Sequence, residues 1–321
     1  MTVNAAEARE RMVMSADRTE RTLLIAKIAC TYGGMAWGLF WLPLRALDES
    51  GIGGAMATAV FYVVPLIFVA PLFIIRARQF AATDLALHLT AIMAAVSMTL
   101  YALSFLFTDV VRAMLLYYMT PVWSALLARA WLKEAITPAR WVSFVLGISG
   151  MLVIFGADVG IPLPKNSGDW ISLTSGVVWA VAVVMMRRGF RGEPMELTLG
   201  YFLYGTIFAC ALTFIPGAAA DGFPVLDDLW PKMAWLIPVI VILVVPAVYS
   251  VMWGSPKLNP GTVGILFMTE ISIGAITAWL WAGEPFGTRE LAGIILITAA
   301  GLAETVSDIF SGAGRRLAGR V

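Results

Sequence analysis

The chain has 321 residues, 60% of them hydrophobic and 13% charged, with a mean hydropathy of +0.84. A water-soluble domain carries roughly 25% charged residues, so this composition excludes a soluble globular enzyme and a disordered chain alike. The formal charge of +1 leaves no basic excess for a nucleic acid, and Cys30 and Cys210 with a single histidine make neither a disulfide framework nor a metal cluster.

What remains is a polytopic, all-α membrane protein. About 20 mostly apolar residues are needed to cross the hydrocarbon as a helix, and ten such runs follow one another. They are Leu23–Leu44, Gly53–Ile75, Ala86–Phe107, Val110–Leu132, Pro138–Phe155, Trp170–Met186, Met195–Pro216, Trp230–Gly254, Pro260–Ala282 and Glu290–Ile309. The first run is too long for a signal-peptide core and no small-residue cleavage site follows it, so it is read as a retained span. Residues 1–22 and 310–321 are expected to be cytoplasmic tails. Residues 23–155 and 170–309 are two five-span units, and 156–169 is a Gly-, Pro- and Asp-containing periplasmic linker.

Orientation follows from lysine and arginine. With the N-terminus inside, the cytoplasmic segments hold the N-terminal arginines, Arg76 and Arg78, Arg129, Lys133 and Arg140, Arg187, Arg188 and Arg191, Lys257, and the C-terminal arginines. Only Arg45, Arg112, Lys165, Lys232 and Arg289 stand outside. Both termini are therefore expected in the cytoplasm.

The two units repeat each other. Gly34, Trp37 and Arg45 of span 1 return 142 residues later as Gly176, Trp179 and Arg187 of span 6. Met119-Thr120 and Ala130-Trp131-Leu132 of span 4 return in span 9 as Met268-Thr269 and Ala278-Trp279-Leu280. Glu134 and Glu284 close the two following turns, and Ser143–Gly150 aligns with Gly293–Ala300. Because each unit has an odd number of spans, the second is expected to be inverted. Inverted repeats place a site near the membrane midplane at their interface and suit alternating access.

Ten spans as five plus five, Trp37-Gly38 in span 1, Trp179-Ala180 in span 6, and the Pro121, Glu134 and Glu284 positions resemble the drug/metabolite transporter superfamily, EamA type. The resemblance covers Leu23–Thr305. It implies secondary transport of a small metabolite across the bacterial inner (plasma) membrane, often export of amino acids, without a cofactor. The chain departs from the family at span 9, where Ile271 stands in place of the usual proline.

Glu270 is the sharpest single feature. A charge halfway along span 9 costs at least about 2.5–3.5 kcal/mol unless it faces protein or water. It is therefore a candidate for binding a cationic group or for taking up a proton as the coupling ion; a hydrogen-bonded structural carboxyl is the alternative. Trp37 and Trp41 share one face of span 1, and Trp179 is the repeat mate of Trp37. With Tyr101, Tyr117, Tyr118 and Tyr249 they are mid-depth aromatics suited to stacking on a ring or holding an ammonium; helix packing is the alternative for each. Pro121 removes a backbone hydrogen bond and is expected to kink span 4, and Pro65, Pro71, Pro238 and Pro246 invite the same reading. Trp131, Trp141, Trp170, Trp230, Trp279 and Trp281 lie near span ends and read as interfacial, as does His88. Arg45, Arg112 and Arg187 are expected to snorkel, with an Arg112–Asp109 gate pair as the alternative for Arg112. Glu134 and Glu284 are expected to bond the next helix, and Glu304 to cap the inner mouth.

Nothing points to an enzyme. The chain lacks an intramembrane aspartate pair, an HExxH motif and a phosphate-binding glycine loop. No metal or cofactor is expected, and the partners are a small-molecule substrate, the bilayer and protons. A nearly uncharged aromatic cavity with one acid suits an amino acid, aromatic ones included. Alternatives are quaternary or other organic amines or, as a different class, a facilitative channel.

Overall fold

The computed structural model describes the backbone of residues 2–156, 163–215, 226–283 and 286–318. It describes the side chains of 18–156, 163–215, 234, 237–283 and 286–303. Glu284, part of the linker (157–162) and the side chains of Trp230, Lys232, Glu304, Arg9, Arg11, Arg315, Arg316 and Arg320 lie outside the described residues.

Every regular element among the described residues is a helix. In chain order these are α1 (Thr2–Gly38), α2 (Trp41–Asp48), α3 (Gly54–Ile75), α4 (Ala77–Ala81), α5 (Leu85–Ser104), α6 (Val110–Tyr117), α7 (Thr120–Leu127) and α8 (Pro138–Phe155). They continue as α9 (Ser167–Arg188), α10 (Pro194–Leu212), α11 (Leu226–Gly254), α12 (Pro260–Phe267), α13 (Thr269–Thr277) and α14 (Thr288–Ala318). Nine stretches among the described residues are long and apolar enough to cross a membrane. They coincide with the first nine runs read from the sequence to within a few residues, and the last run lies on α14. The polar N-terminal tail is helical and continuous with span 1.

Local chemistry sets the helix starts. Asp84 accepts from the Leu87 amide at 3.0 Å and Asn166 from the Asp169 amide at 2.8 Å. Thr137 and Asn259 cap α8 and α12, each with a proline following in the first turn, where the missing N–H costs nothing. Outward-facing residues such as Ile67, Phe68, Ile74 and Ile242 are exposed, as a lipid-facing surface requires. Trp131, Trp141, Trp170, Trp279 and Trp281 are exposed at span ends as well.

Helix pairing repeats between the halves. Helix α1 packs on α11 and on α12–α13, while its repeat mate α9 packs on α5 and on α6–α7. Helix α8 packs on α14, and α3 on α10. Exchanging the halves leaves this pattern unchanged.

Spans 4 and 9 are the irregular ones. Pro121 does not kink a continuous helix: the helix stops at Tyr117 and restarts at Thr120, leaving Pro121 in the first turn of α7. Span 9 breaks at the same place, between Phe267 and Thr269, without a proline. A carbonyl freed within the hydrocarbon must find another donor, and threonine supplies it in both. The Thr120 hydroxyl donates to the Tyr117 carbonyl, and the Thr269 hydroxyl to the Leu266 carbonyl at 2.7 Å. The repeated glycines press on these breaks. A Cβ on Gly176 would fall 2.8 Å from the Tyr117 carbonyl oxygen, and one on Gly34 would fall 3.1 Å from that of Leu266. Both spans then end in a wide π turn, Ala128–Leu132 or Ala278–Ala282, closed by a left-handed residue. By contrast, Pro65 and Pro71 stay inside an unbroken α3.

Candidate functional site

A cavity of about 810 Å³ lies between the two repeats. Its mouth is made by helix ends: Arg45 and Asp48 of α2, Val110 and Val111 of α6, Phe155 of α8, and Arg289 and Glu290 of α14. Its walls deepen along α1–α2, α3, α5 and α6 to Trp37, Tyr101 and Glu270. Those three residues also line a small compartment of about 20 Å³ beside it, with Gly34, Tyr117, Trp179 and Phe267. That volume holds about one water molecule.

The walls are mostly apolar, and the aromatic rings among them are held in place by pairwise contacts. The rings of Tyr101 and Tyr117 stack at 4.2 Å, Phe40 meets Phe61 at 4.0 Å, and Trp179 meets Phe267 at 5.7 Å. Trp41 is anchored by its indole N–H, which donates to the Thr277 hydroxyl at 3.0 Å. Glu270 sits in the first turn of α13, where the helix dipole favours a negative charge. Among the described residues it forms no ion pair. The hydroxyls of Tyr101, Tyr117 and Tyr118 lie within its electrostatic reach.

The structure thus brings together Trp37, Trp41, Tyr101, Tyr117, Trp179 and Glu270. Tyr118 stands behind Tyr117, edge-on to it at 5.3 Å, and lines neither cavity. Tyr249 does not join the group: on α11 it is 37% exposed on the outer surface. An almost uniformly apolar helix carries no periodic signal to fix which face a tyrosine occupies. Tyr62 of α3 and Tyr201 of α10, not singled out by the sequence, do line the large cavity. They stand 142 and 139 residues from Tyr204 and Tyr62, close to the repeat spacing that could have pointed to them.

At the end opposite the mouth, polar contacts close the molecule. Arg187 does not snorkel: its Nε donates to Glu134 at 3.0 Å and its guanidinium to the Pro256 carbonyl at 3.3 Å. Asn259 also donates to Glu134. Glu134, expected to bond the next helix, instead bonds α9 and the start of α12 in the other repeat. Alongside, Arg76 bridges Glu196 at 2.6 Å and Glu193 at 2.8 Å, and both carboxylates hold its guanidinium pKa above the usual value. Asp84 accepts from the backbone N–H of Arg191 at 2.9 Å, and this bond with that from Leu87 keeps its carboxyl below the ordinary range.

On the mouth side Arg112 pairs with Asp169 rather than with Asp109. Asp169 is fully buried and accepts further from the Thr108 hydroxyl at 2.6 Å and the Lys165 amide at 2.8 Å. This joins the start of α6 to the start of α9. His88 bonds the Tyr204 hydroxyl at 2.8 Å and is partly buried.

Two repeated helical halves thus enclose a cavity that is open at one end and tied at the other. The EamA-like transporter family model matches residues 24–156 and again 166–303, one match for each half. The chain belongs to that family, and so to the drug/metabolite transporter superfamily. A solved structure titled "Crystal structure of protein" is similar to it, with a TM-score of 0.72 and 17% identity, over 91% of this chain and 98% of that one. The likeness shows a shared fold. No curated protein matches.

Proposed function

We propose that the protein is a secondary carrier of ten spans, in two inverted units of five, with both termini in the cytoplasm. It moves a small amphipathic amine-bearing metabolite, an amino acid in the first instance, out across the inner membrane by alternating access. The observation that carries this reading is the cavity, with one carboxylate and stacked aromatic rings at its deep end and cross-repeat contacts sealing the far side. Trp37, Trp41, Tyr101, Tyr117 and Trp179 form the apolar and cation-binding walls, and Glu270 receives the ammonium or a proton. The lysine and arginine distribution supports a mouth on the periplasmic side, which makes this an outward-open state on the proposed orientation.

Glu270→Gln separates two roles. If the residue carries the coupling proton, binding and substrate exchange survive while flux driven by a pH gradient fails. If it is the fixed counter-ion of the ammonium, binding itself falls by more than about a hundredfold, the loss expected for one partner of a desolvated pair. Wild-type behaviour in all three assays overturns the assignment. Saturable flux with counterflow is expected of a carrier, whereas non-saturating flux without counterflow supports a channel.

A further inference from the structure

Tyr62 and Tyr201 form a buried pair on the wall of the large cavity, 5% and 4% exposed, with rings 5.3 Å apart. The Tyr62 hydroxyl donates to that of Tyr201 at 3.0 Å. A phenol has one proton to give. Two phenols hold two protons, and their mutual bond uses one. Among the described residues the Tyr201 proton meets no acceptor, and turning both hydroxyls round merely moves the spare proton to Tyr62. A buried donor without an acceptor is unfavourable, and the open side of this pair is the cavity. Its acceptor is therefore supplied by whatever occupies that space.

The position of the pair says which part of an occupant it meets. Tyr62, Tyr201 and Glu270 line the same large cavity, with Tyr101 between the repeats on its wall, and Tyr117, stacked on Tyr101, is near both Tyr201 and Glu270. The cavity therefore offers a carboxyl group and a neutral hydrogen-bond donor. We propose that the Tyr62–Tyr201 pair is a subsite for a carboxylate or carbonyl acceptor, which makes the site selective for amines that also carry such a group over simple organic amines. This rests on the reading of the cavity as an amine site and refines it. The subsite is uncharged, so it holds the acceptor without an ion pair that would slow release.

Matched ligands test this: L-phenylalanine against phenethylamine, and L-leucine against isoamylamine, titrated into the purified protein by isothermal calorimetry. The wild type is expected to prefer the carboxylate member of each pair. Tyr201→Phe, and more completely the Tyr62→Phe/Tyr201→Phe double variant, should weaken the carboxylate member on the order of tenfold or more and leave the amine within about twofold. The ring of residue 62 stays packed against Gly205 in both variants, and retained amine binding reports an intact site. An unchanged acid-to-amine ratio in the double variant overturns the subsite, as does an equal loss of both members, which would assign the pair to packing. A wild type that binds neither member removes the amine site and this refinement together, an outcome distinct from a bound amine with no preference.

Discussion

Glu134→Ala should open the sealed end. Glu134 accepts from Arg187 and Asn259, and the Glu134 and Arg187 side chains are 25% and 36% exposed. An ion pair at that exposure contributes up to about 1 kcal/mol, and the amide bond to a carboxylate adds roughly 1 kcal/mol more. If these contacts exist only while that end is shut, losing about 2 kcal/mol raises the population open there roughly 30-fold. A reporter cysteine at Ala128, 1% exposed beside the tie, in a chain with Cys30 and Cys210 replaced, reacts with a thiol reagent in proportion to that population. Its labelling rate should rise by about that factor, while a second reporter at Met114 in the cavity wall labels more slowly. Both rates rising together would signify loosening of the whole fold. An unchanged Ala128→Cys rate would refute the assignment of these contacts as the closure.

Three further outcomes follow from the same coordinates. Arg112→Ala leaves the fully buried Asp169 without its counter-charge; two remaining hydrogen bonds soften the loss, so stability should fall by about 3 kcal/mol, the low end for breaking a buried pair, read as a lower unfolding temperature. Gly34→Val should cut folded yield sharply, since its Cβ would sit 2.5 Å from the Thr269 hydroxyl and 3.1 Å from the Leu266 carbonyl, whereas Gly51→Ala, with open space around it, should pay only the strain of its left-handed backbone. The Asp84 carboxyl has its pKa lowered in the folded state, so its contribution is present above about pH 4, the unfolded value, and disappears as pH falls through the lowered one. Asp84→Asn should therefore lower the unfolding temperature at neutral pH and converge with wild type in acid; a constant gap across that range would contradict the assignment.

The spans were legible because lipid demands long apolar runs, and the repeat because glycine, tryptophan and threonine recur at fixed offsets. What faces the cavity was legible only where polarity betrayed it. Glu270 stands out in an apolar helix, but Tyr249 and Tyr201 are alike in sequence, and only packing puts one toward lipid and the other toward the cavity. The break in span 9 was hidden for another reason. The sequence signal for a broken helix is proline, and here the work is done by Thr269 and the facing Gly34, neither of which marks a break by itself. Likewise Asp109 is the near neighbour of Arg112 in the chain, while its actual partner, Asp169, arrives from the other half.

The two breaks share a path but not a chemistry. Met119-Thr120 and Met268-Thr269 occupy equivalent places, so the counterpart of Pro121 is Glu270 and not, as the family resemblance placed it, Ile271. Because a threonine already satisfies the freed carbonyl, the following position is released from any duty to the backbone, and one half fills it with an imino ring and the other with an acid. If transport exchanges the shapes of the two halves, as proposed above, it does not exchange this charge. A cationic ligand held there would then stay attached to the second half, and the two faces of the membrane would meet it through unlike surroundings. Near mirror symmetry of form is thus compatible with unequal affinity on the two sides, and the inequality is localised to one pair of residues.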